Sequence, residues 1–261
     1  MKPLITLYAV MALLLCTPQV IAETLITVTY THDEADEKNV VALTYEHAPR
    51  LTQVVKDAML HTDVIANAEP QPIYWLGSAL YDISTQRLFQ QKQTNILNLL
   101  KTQYEDIDKP NNIKALKSLS SWVANNQFLE RQFIPLDYDA IRLKNELDPL
   151  LAGKYLLALE SKPQDILVLG AVAQNGPQPF VVRQGASQYL DKAQPLAHSE
   201  NSFAWLIQPD GKQQKYPIAY WNQQHIDIAP GAIIYLDFDG VRDNEPALNQ
   251  QILELLKHWV R

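Results

Sequence analysis

One cysteine in 261 residues, Cys16, sits inside an apolar amino-terminal run. With no second thiol, the chain has no internal disulfide, no cysteine-rich zinc site and no thiol nucleophile outside that run. Glycine is scarce as well, at eight residues. None of them forms a phosphate-cradling loop, and no G-x-S-x-G elbow occurs, so no cofactor is implied. Six histidines (His32, His47, His61, His198, His225 and His258) are scattered, with no two at ligand spacing on one element, and no metal site is implied. Basic charge is in deficit, with 22 Lys and Arg against 29 Asp and Glu and a formal net charge of −7. That balance argues against nonspecific binding to nucleic acid or to an anionic membrane surface, and it would repel an acidic polysaccharide.

The amino terminus reads as an export signal. Lys2 is a short positive region, Leu4 to Cys16 an apolar core, and Val20-Ile21-Ala22 a small-residue cleavage site. The apolar run is shorter than the ~20 residues of a spanning helix. Cys16 follows Leu15, where a lipoprotein signal wants a small residue. The expectation is a signal peptide over residues 1–22, a mature start at Glu23, periplasmic localisation and no transmembrane span in the mature chain.

Periodicity organises the rest. Leu25–Tyr30 and Val40–Tyr45 read as a strand hairpin across the polar turn His32–Asn39, and Leu51, Val54, Val55, Ala58 and Met59 as a helix. Ile73–Leu80 reads as extended. Leu88, Phe89, Ile96, Leu97, Leu100 and Tyr104 mark one amphipathic helix, and Ile113, Leu116, Leu119, Trp122 and Val123 a second beyond Pro110. The short break predicts a helical hairpin. Strand signals return at Phe133–Leu136, Lys154–Leu159, Asp165–Val172 and Phe180–Arg183, and Tyr189–Ala197 reads as helical or coiled. Phe203–Phe238 contains strand Ala204–Ile207, the turn Pro209-Asp210-Gly211, strand Tyr216–Trp221, and a Pro230-Gly231 turn into the apolar run Ala232–Phe238. A final helix carries the stripe Leu248, Ile252, Leu255, Leu256 and Trp259, with Asp243 or Asn244 to cap it and Pro246 in its first turn.

The Phe203–Phe238 order resembles the second half of a soluble-ligand-binding β-grasp (SLBB) domain, with Ala232 where an Asp is usual. Taken with Trp75-Leu76-Gly77-Ser78-Ala79-Leu80, Ile134-Pro135-Leu136-Asp137, Pro149 to Leu157, Lys162-Pro163 and Val168-Leu169-Gly170-Ala171-Val172, the chain resembles the GfcC family of periplasmic proteins of capsule and exopolysaccharide systems. It departs from the family pattern at Ala232 and Gln132. The resemblance implies an α+β fold: a first β-grasp domain over 23–161 with a helical hairpin inserted at about 86–128, a second over 162–243, and a carboxy-terminal amphipathic helix over 244–261. It also suggests a comparison with the terminal helix of outer-membrane polysaccharide exporters, so the stripe face is a candidate for docking on a partner, with packing on its own domain as the other reading.

Leu236-Asp237-Phe238-Asp239-Gly240-Val241 imitates a haloacid-dehalogenase phosphatase motif. That chemistry needs a further Ser or Thr, a Lys and metal-binding acids downstream, and 20 residues follow Val241. The pairs Asp137 with Asp139 and Asp106 with Asp108 could form a glycosidase dyad, but acids beside turns are usually caps. No catalytic residue is assigned. Arg131 and Arg142 are candidate binding residues, because a guanidinium fork suits a carboxylate or phosphate. Trp75, Trp122, Trp205 and Trp221 could stack on sugar rings, against the commoner core role of aromatics; Trp75 is taken as a binding candidate. The expected function is a non-enzymatic periplasmic accessory protein of capsule or exopolysaccharide assembly or export. Its expected partners are polysaccharide-export or capsule-assembly proteins, or a glycan. The alternative is a polysaccharide-modifying enzyme using a carboxylate pair.

Overall fold

The computed structural model describes residues 23–31, 40–62, 72–105, 110–197, 199–222, 224–239 and 248–261. The export signal, the 32–39 turn, Asp106, Asp108, His198, Gly240, Val241 and the capping residues Asp243, Asn244 and Pro246 lie outside them. The fold is mixed α+β, with two five-stranded sheets, a two-stranded ribbon and six α-helices among the described residues.

The first sheet joins β1 (Thr24–Thr31), β2 (Val40–Tyr45), β3 (Ala79–Asp82), β5 (Glu130–Gln132) and β6 (Lys154–Glu160) in the order β2-β1-β6-β3-β5. β1 alternates buried and half-buried residues, as one covered sheet face requires. It pairs antiparallel with β2 and parallel with β6. Helix α1 (Leu51–Leu60) returns between β2 and β3 and buries Leu51, Val54, Val55 and Ala58 against Ile26, Val28, Leu80 and Leu157. The second sheet joins β7 (Asp165–Gly170), β8 (Gly176–Pro179), β9 (Phe203–Ile207), β10 (Gln213–Pro217) and β11 (Ile233–Leu236) in the order β8-β7-β11-β9-β10. Helix α5 (Ala186–Ala193) lies between β8 and β9 in sequence. The two sheets therefore repeat one plan: an antiparallel hairpin, a helix, and a last strand parallel to the first.

Helices α2 (Gln86–Glu105) and α3 (Pro110–Asn125), with β4 (Gln127–Phe128), are inserted between β3 and β5. Their buried residues join the core of the second sheet: Phe89, Ile96, Leu100, Leu116, Leu119 and Val123 pack in one cluster with Ile166, Val168, Leu206 and Ile234. Asn175 fixes the junction, its amide donating to the carbonyl of Ala115 (3.4 Å) while its oxygen accepts from the N–H of Gly170 (2.7 Å). The insertion thus belongs to the first sheet by chain order and to the second by packing.

Helix α6 (Leu248–Leu256) closes that core, burying Leu248, Ile252, Leu253, Leu255 and Leu256. Asn249 clamps it to β11, accepting from the hydroxyl of Tyr235 (2.9 Å) and the N–H of Phe238 (3.0 Å). Of the two readings of the stripe, docking on a partner or packing on its own domain, the structure shows Leu248, Ile252, Leu255 and Leu256 covered inside the protein. Trp259 is not on the helix at all. It sits in β12 (Trp259–Val260), paired with β4, and its indole donates to Asn126 Oδ1 (2.8 Å).

Four expected extended segments differ. Trp75–Gly77 is a turn, with the N–H groups of Gly77 and Ser78 both donating to the carbonyl of Tyr74. Phe133–Leu136 is a loop, because Ile134 N–H turns back to Gln132 O (2.9 Å) and Pro135 has no N–H for a ladder. Phe180–Arg183 is irregular: the Tyr189 hydroxyl captures Val181 N–H (2.8 Å), and Arg183 turns with φ +64. β10 ends at Pro217, so Tyr220 and Trp221 fall in a turn.

Candidate functional site: a cleft around Arg131

A cleft of about 640 Å³ opens where the first sheet's far edge meets the tip of the β9–β10 hairpin. Its walls are Trp75, Leu76 and Ser78 from the turn before β3, Arg131 and the loop Phe133 to Asp137, and Asp210, Gly211 and Lys212 from the hairpin tip. Each wall has a local cause. Gly77 lets the first turn lie against Glu160, since a Cβ there would overlap the Glu160 carboxylate. Gly211, at φ +84, lets the hairpin tip lie against the ring of Phe133, which a Cβ would strike.

Arg131 is the central group. It stands opposite Tyr81 in the β3–β5 ladder and is 8% exposed. Its backbone N–H donates to Nδ1 of His258 (3.0 Å). Among the described residues its guanidinium meets no hydrogen-bond or ion-pair partner; it stands over the Phe133 ring, 6.0 Å to the centroid. Burial, chiefly, holds its pKa below the usual arginine value, and Arg261 adds to this, while Tyr81, Glu160 and Asp210 oppose it. Arginine stays charged all the same. The acids nearby are engaged elsewhere: Glu160 with Arg261 (3.3 Å) and Asp210 with Lys212 (2.8 Å). Arg131 and Lys212 thus share the lining with Asp137 and Asp210, but Asp137 caps a helix and Asp210 is paired with Lys212. The cation left without an ionic partner among the described residues is a nearly buried fork lining the cleft. Such a group favours an incoming carboxylate or phosphate.

Neighbouring groups are also tuned by burial. Tyr74 is pushed up to about 12, chiefly by burial and then by Glu160, and its hydroxyl donates to the carbonyl of Pro230 (3.3 Å). His258 is pushed down to about 4 by burial and then by Lys92; its Nδ1 accepts from Arg131, which leaves the proton on Nε2.

Of the candidate binding residues, Trp75 and Arg131 come together in the cleft and Arg142 does not. Arg142 lies on the surface at the end of α4 (Tyr138–Ile141), paired with Asp139 (3.0 Å). Asp137 caps α4, accepting from the N–H groups of Asp139 and Ala140. Asp237 accepts from the Trp205 indole (3.1 Å), and burial raises its pKa; Asp239 is exposed. Trp122 packs edge-on to Trp259, and only Trp221 of the four tryptophans first considered for stacking is largely exposed. The sequence reading did not single out Phe133, Asp210, Lys212, Glu160 or Arg261. The Asp210-Gly211 turn was legible; its contact across to Phe133 is long-range and was not.

An α+β protein with two like-ordered sheets, a cation-bearing cleft at their junction, and no described helix long and apolar enough to cross a membrane defines the class. Family comparison makes it specific: the capsule biosynthesis GfcC N-terminal family matches residues 26–162 and the GfcC C-terminal family residues 174–260. The chain belongs to the GfcC capsule-biosynthesis family. It is also 31% identical over 197 residues to the uncharacterized protein YjbG of Escherichia coli K12, covering 74% of this chain and 80% of that one.

Proposed function

We propose that this protein is a periplasmic accessory factor of capsule or exopolysaccharide assembly or export, acting by binding and not by covalent chemistry. The observation that carries the reading is Arg131, a nearly buried cation without an ionic partner among the described residues, facing a cleft of about 640 Å³. A carboxylate or phosphate, on a glycan or on a partner protein, is the group this fork fits. Family membership supports the capsule setting.

The domain division follows the same reading. The shared strand order supports two β-grasp units of SLBB type, over 23–161 and 162–243, followed by a terminal helix. The enzymatic alternative needs a free pair of acids in the cleft. Asp137 and Asp210 both line it, but the first caps α4 and the second pairs with Lys212, which favours binding.

The test is retention of envelope proteins and glycan by the tagged protein, compared between wild type and R131M. Wild type should capture a capsule-system component that R131M loses. Equal capture by both would remove Arg131 from the function. Export is checked separately: mass spectrometry of the periplasmic protein should find Glu23 at the amino terminus, and a retained Met1 would contradict cleavage after Ala22.

A further inference from the structure

Among the described residues Tyr220 and Trp221 are the most exposed aromatics, at 95% and 73%. Their exposure does not come from a loose loop. Asn222 N–H donates to Ala219 O (3.2 Å), closing a β-turn with the two aromatics at its central positions. The Ser202 carbonyl then holds the turn from both sides, accepting from Ile218 N–H (3.1 Å) and from the Asn222 side-chain amide (2.9 Å). Central turn positions favour Pro, Asn, Asp and Gly, each for a local reason. A Tyr-Trp pair there does nothing for the turn and sets two rings in water.

The surroundings select the occupant. Asn222, Gln224 and His225 follow the pair, and Phe203, next to the Ser202 clamp, is itself 38% exposed beneath the Lys215 ammonium (5.6 Å to the ring). The apolar area is a few ring faces set among amides and a lysine. A protein interface core wants a broader desolvated patch, and a formal net charge of −7 disfavours an anionic bilayer. Separate ring faces bordered by hydrogen-bonding groups match pyranose units, which have C–H faces and hydroxyl rims.

We propose that the Tyr220–Trp221 turn is a stacking platform for the pyranose rings of a polysaccharide, distinct from the Arg131 cleft. The turn and the cleft lie at opposite ends of the β9–β10 hairpin, so one chain of sugars could not be read by a single side-chain cluster at both. This rests on the reading that the protein serves polysaccharide assembly by binding.

The test titrates mature protein, labelled at its indole nitrogens, with surface polysaccharide extracted from cells that make it. The Trp221 indole signal, assigned with W221F, should shift. Y220S/W221S should weaken binding by about tenfold or more with an unchanged melting temperature, and Y220F/W221F should retain most of it. Binding unaffected by Y220S/W221S, or lost only in R131M, overturns the platform and leaves the cleft reading standing. A Trp221 shift caused by phosphatidylcholine vesicles and not by polysaccharide overturns it in favour of a membrane. The parent reading is tested apart from this: if cells lacking the protein make and export polysaccharide normally, it fails whatever the titration gives.

Discussion

Arg131 and Arg142 look alike in the sequence, eleven positions apart at segment ends, and the structure gives them different work. The signal that separates them was partly legible. Asp139 stands three residues before Arg142 on a helical turn, the spacing of a surface pair, and that pair forms at 3.0 Å. What marks Arg131 is a guanidinium without an ionic partner among the described residues, and that is decided only when β5, the 133–137 loop and the β9–β10 tip converge. A buried cation without a partner is unfavourable to folding. R131M should therefore leave the protein as stable as wild type or raise its stability by up to about 2 kcal/mol, while abolishing cleft binding; chemical denaturation and the capture assay measure the two separately. A large loss of stability would show the guanidinium to be a structural group. His258 gives a pH test. It titrates near 6.5 when unfolded and is pushed down to about 4 in the fold. Between those values the unfolded chain holds the extra proton, so stability falls as pH drops through the window and is flat above it. Because the ring is partly exposed, the loss should be roughly 1–2 kcal/mol, well below the full Coulomb and burial effect. Urea midpoints at pH 7 and 4.5 should diverge in wild type and converge in H258Q.

Elements with strong periodicity were read correctly, and those ended by one hydrogen bond were not. β2, α1, the helical hairpin and β6 follow from alternating or helical apolar spacing. The misread segments end where a side chain or a proline diverts the backbone: Tyr189 hydroxyl at Val181, Pro135 beyond Gln132, and Pro217 before the Ser202 clamp. Amphipathicity of α6 was visible, but its partner was not, since an apolar stripe does not say which surface covers it. The covering surface is the α2–α3 insertion and the second sheet. I252A should then cost about 2–5 kcal/mol, as for other fully buried aliphatics. L88A, on an exposed residue of α2, should stay within about 0.5 kcal/mol. If I252A left stability unchanged but impaired export, the helix would be a docking element after all. The hairpin tip makes a sharper element-scale case. G211A needs both a positive φ and the space filled by Phe133, so it should loosen the tip and weaken cleft binding more than it lowers the melting temperature.

At the scale of the molecule the carboxy-terminal residues join what the chain order separates. β12 pairs with β4, the Tyr81 hydroxyl donates to Trp259 O (2.6 Å), and Leu129 N–H donates to His258 O (3.0 Å). Arg261 completes the joint, bonding Glu160 at the end of β6 and the carbonyl of Gly231 just before β11. One side chain thus bridges the two sheets beside the Arg131 cleft, and Gly77 and Gly231 leave room for it and its acid. Side-chain exposures of 12% and 9% put the Arg261–Glu160 pair among buried ion pairs. For such pairs removing one partner costs more than replacing both. R261M should therefore destabilise by about 2–4 kcal/mol, and E160Q by a comparable amount. The double variant should lose less than the two single losses combined, by more than about 0.5 kcal/mol. Cleft binding should weaken in R261M even under conditions where the protein remains folded, because the walls of the cleft come from both sheets. Additive losses in the double-mutant cycle, with cleft affinity unchanged in folded R261M, would mean that the bridge neither couples the sheets nor shapes the site.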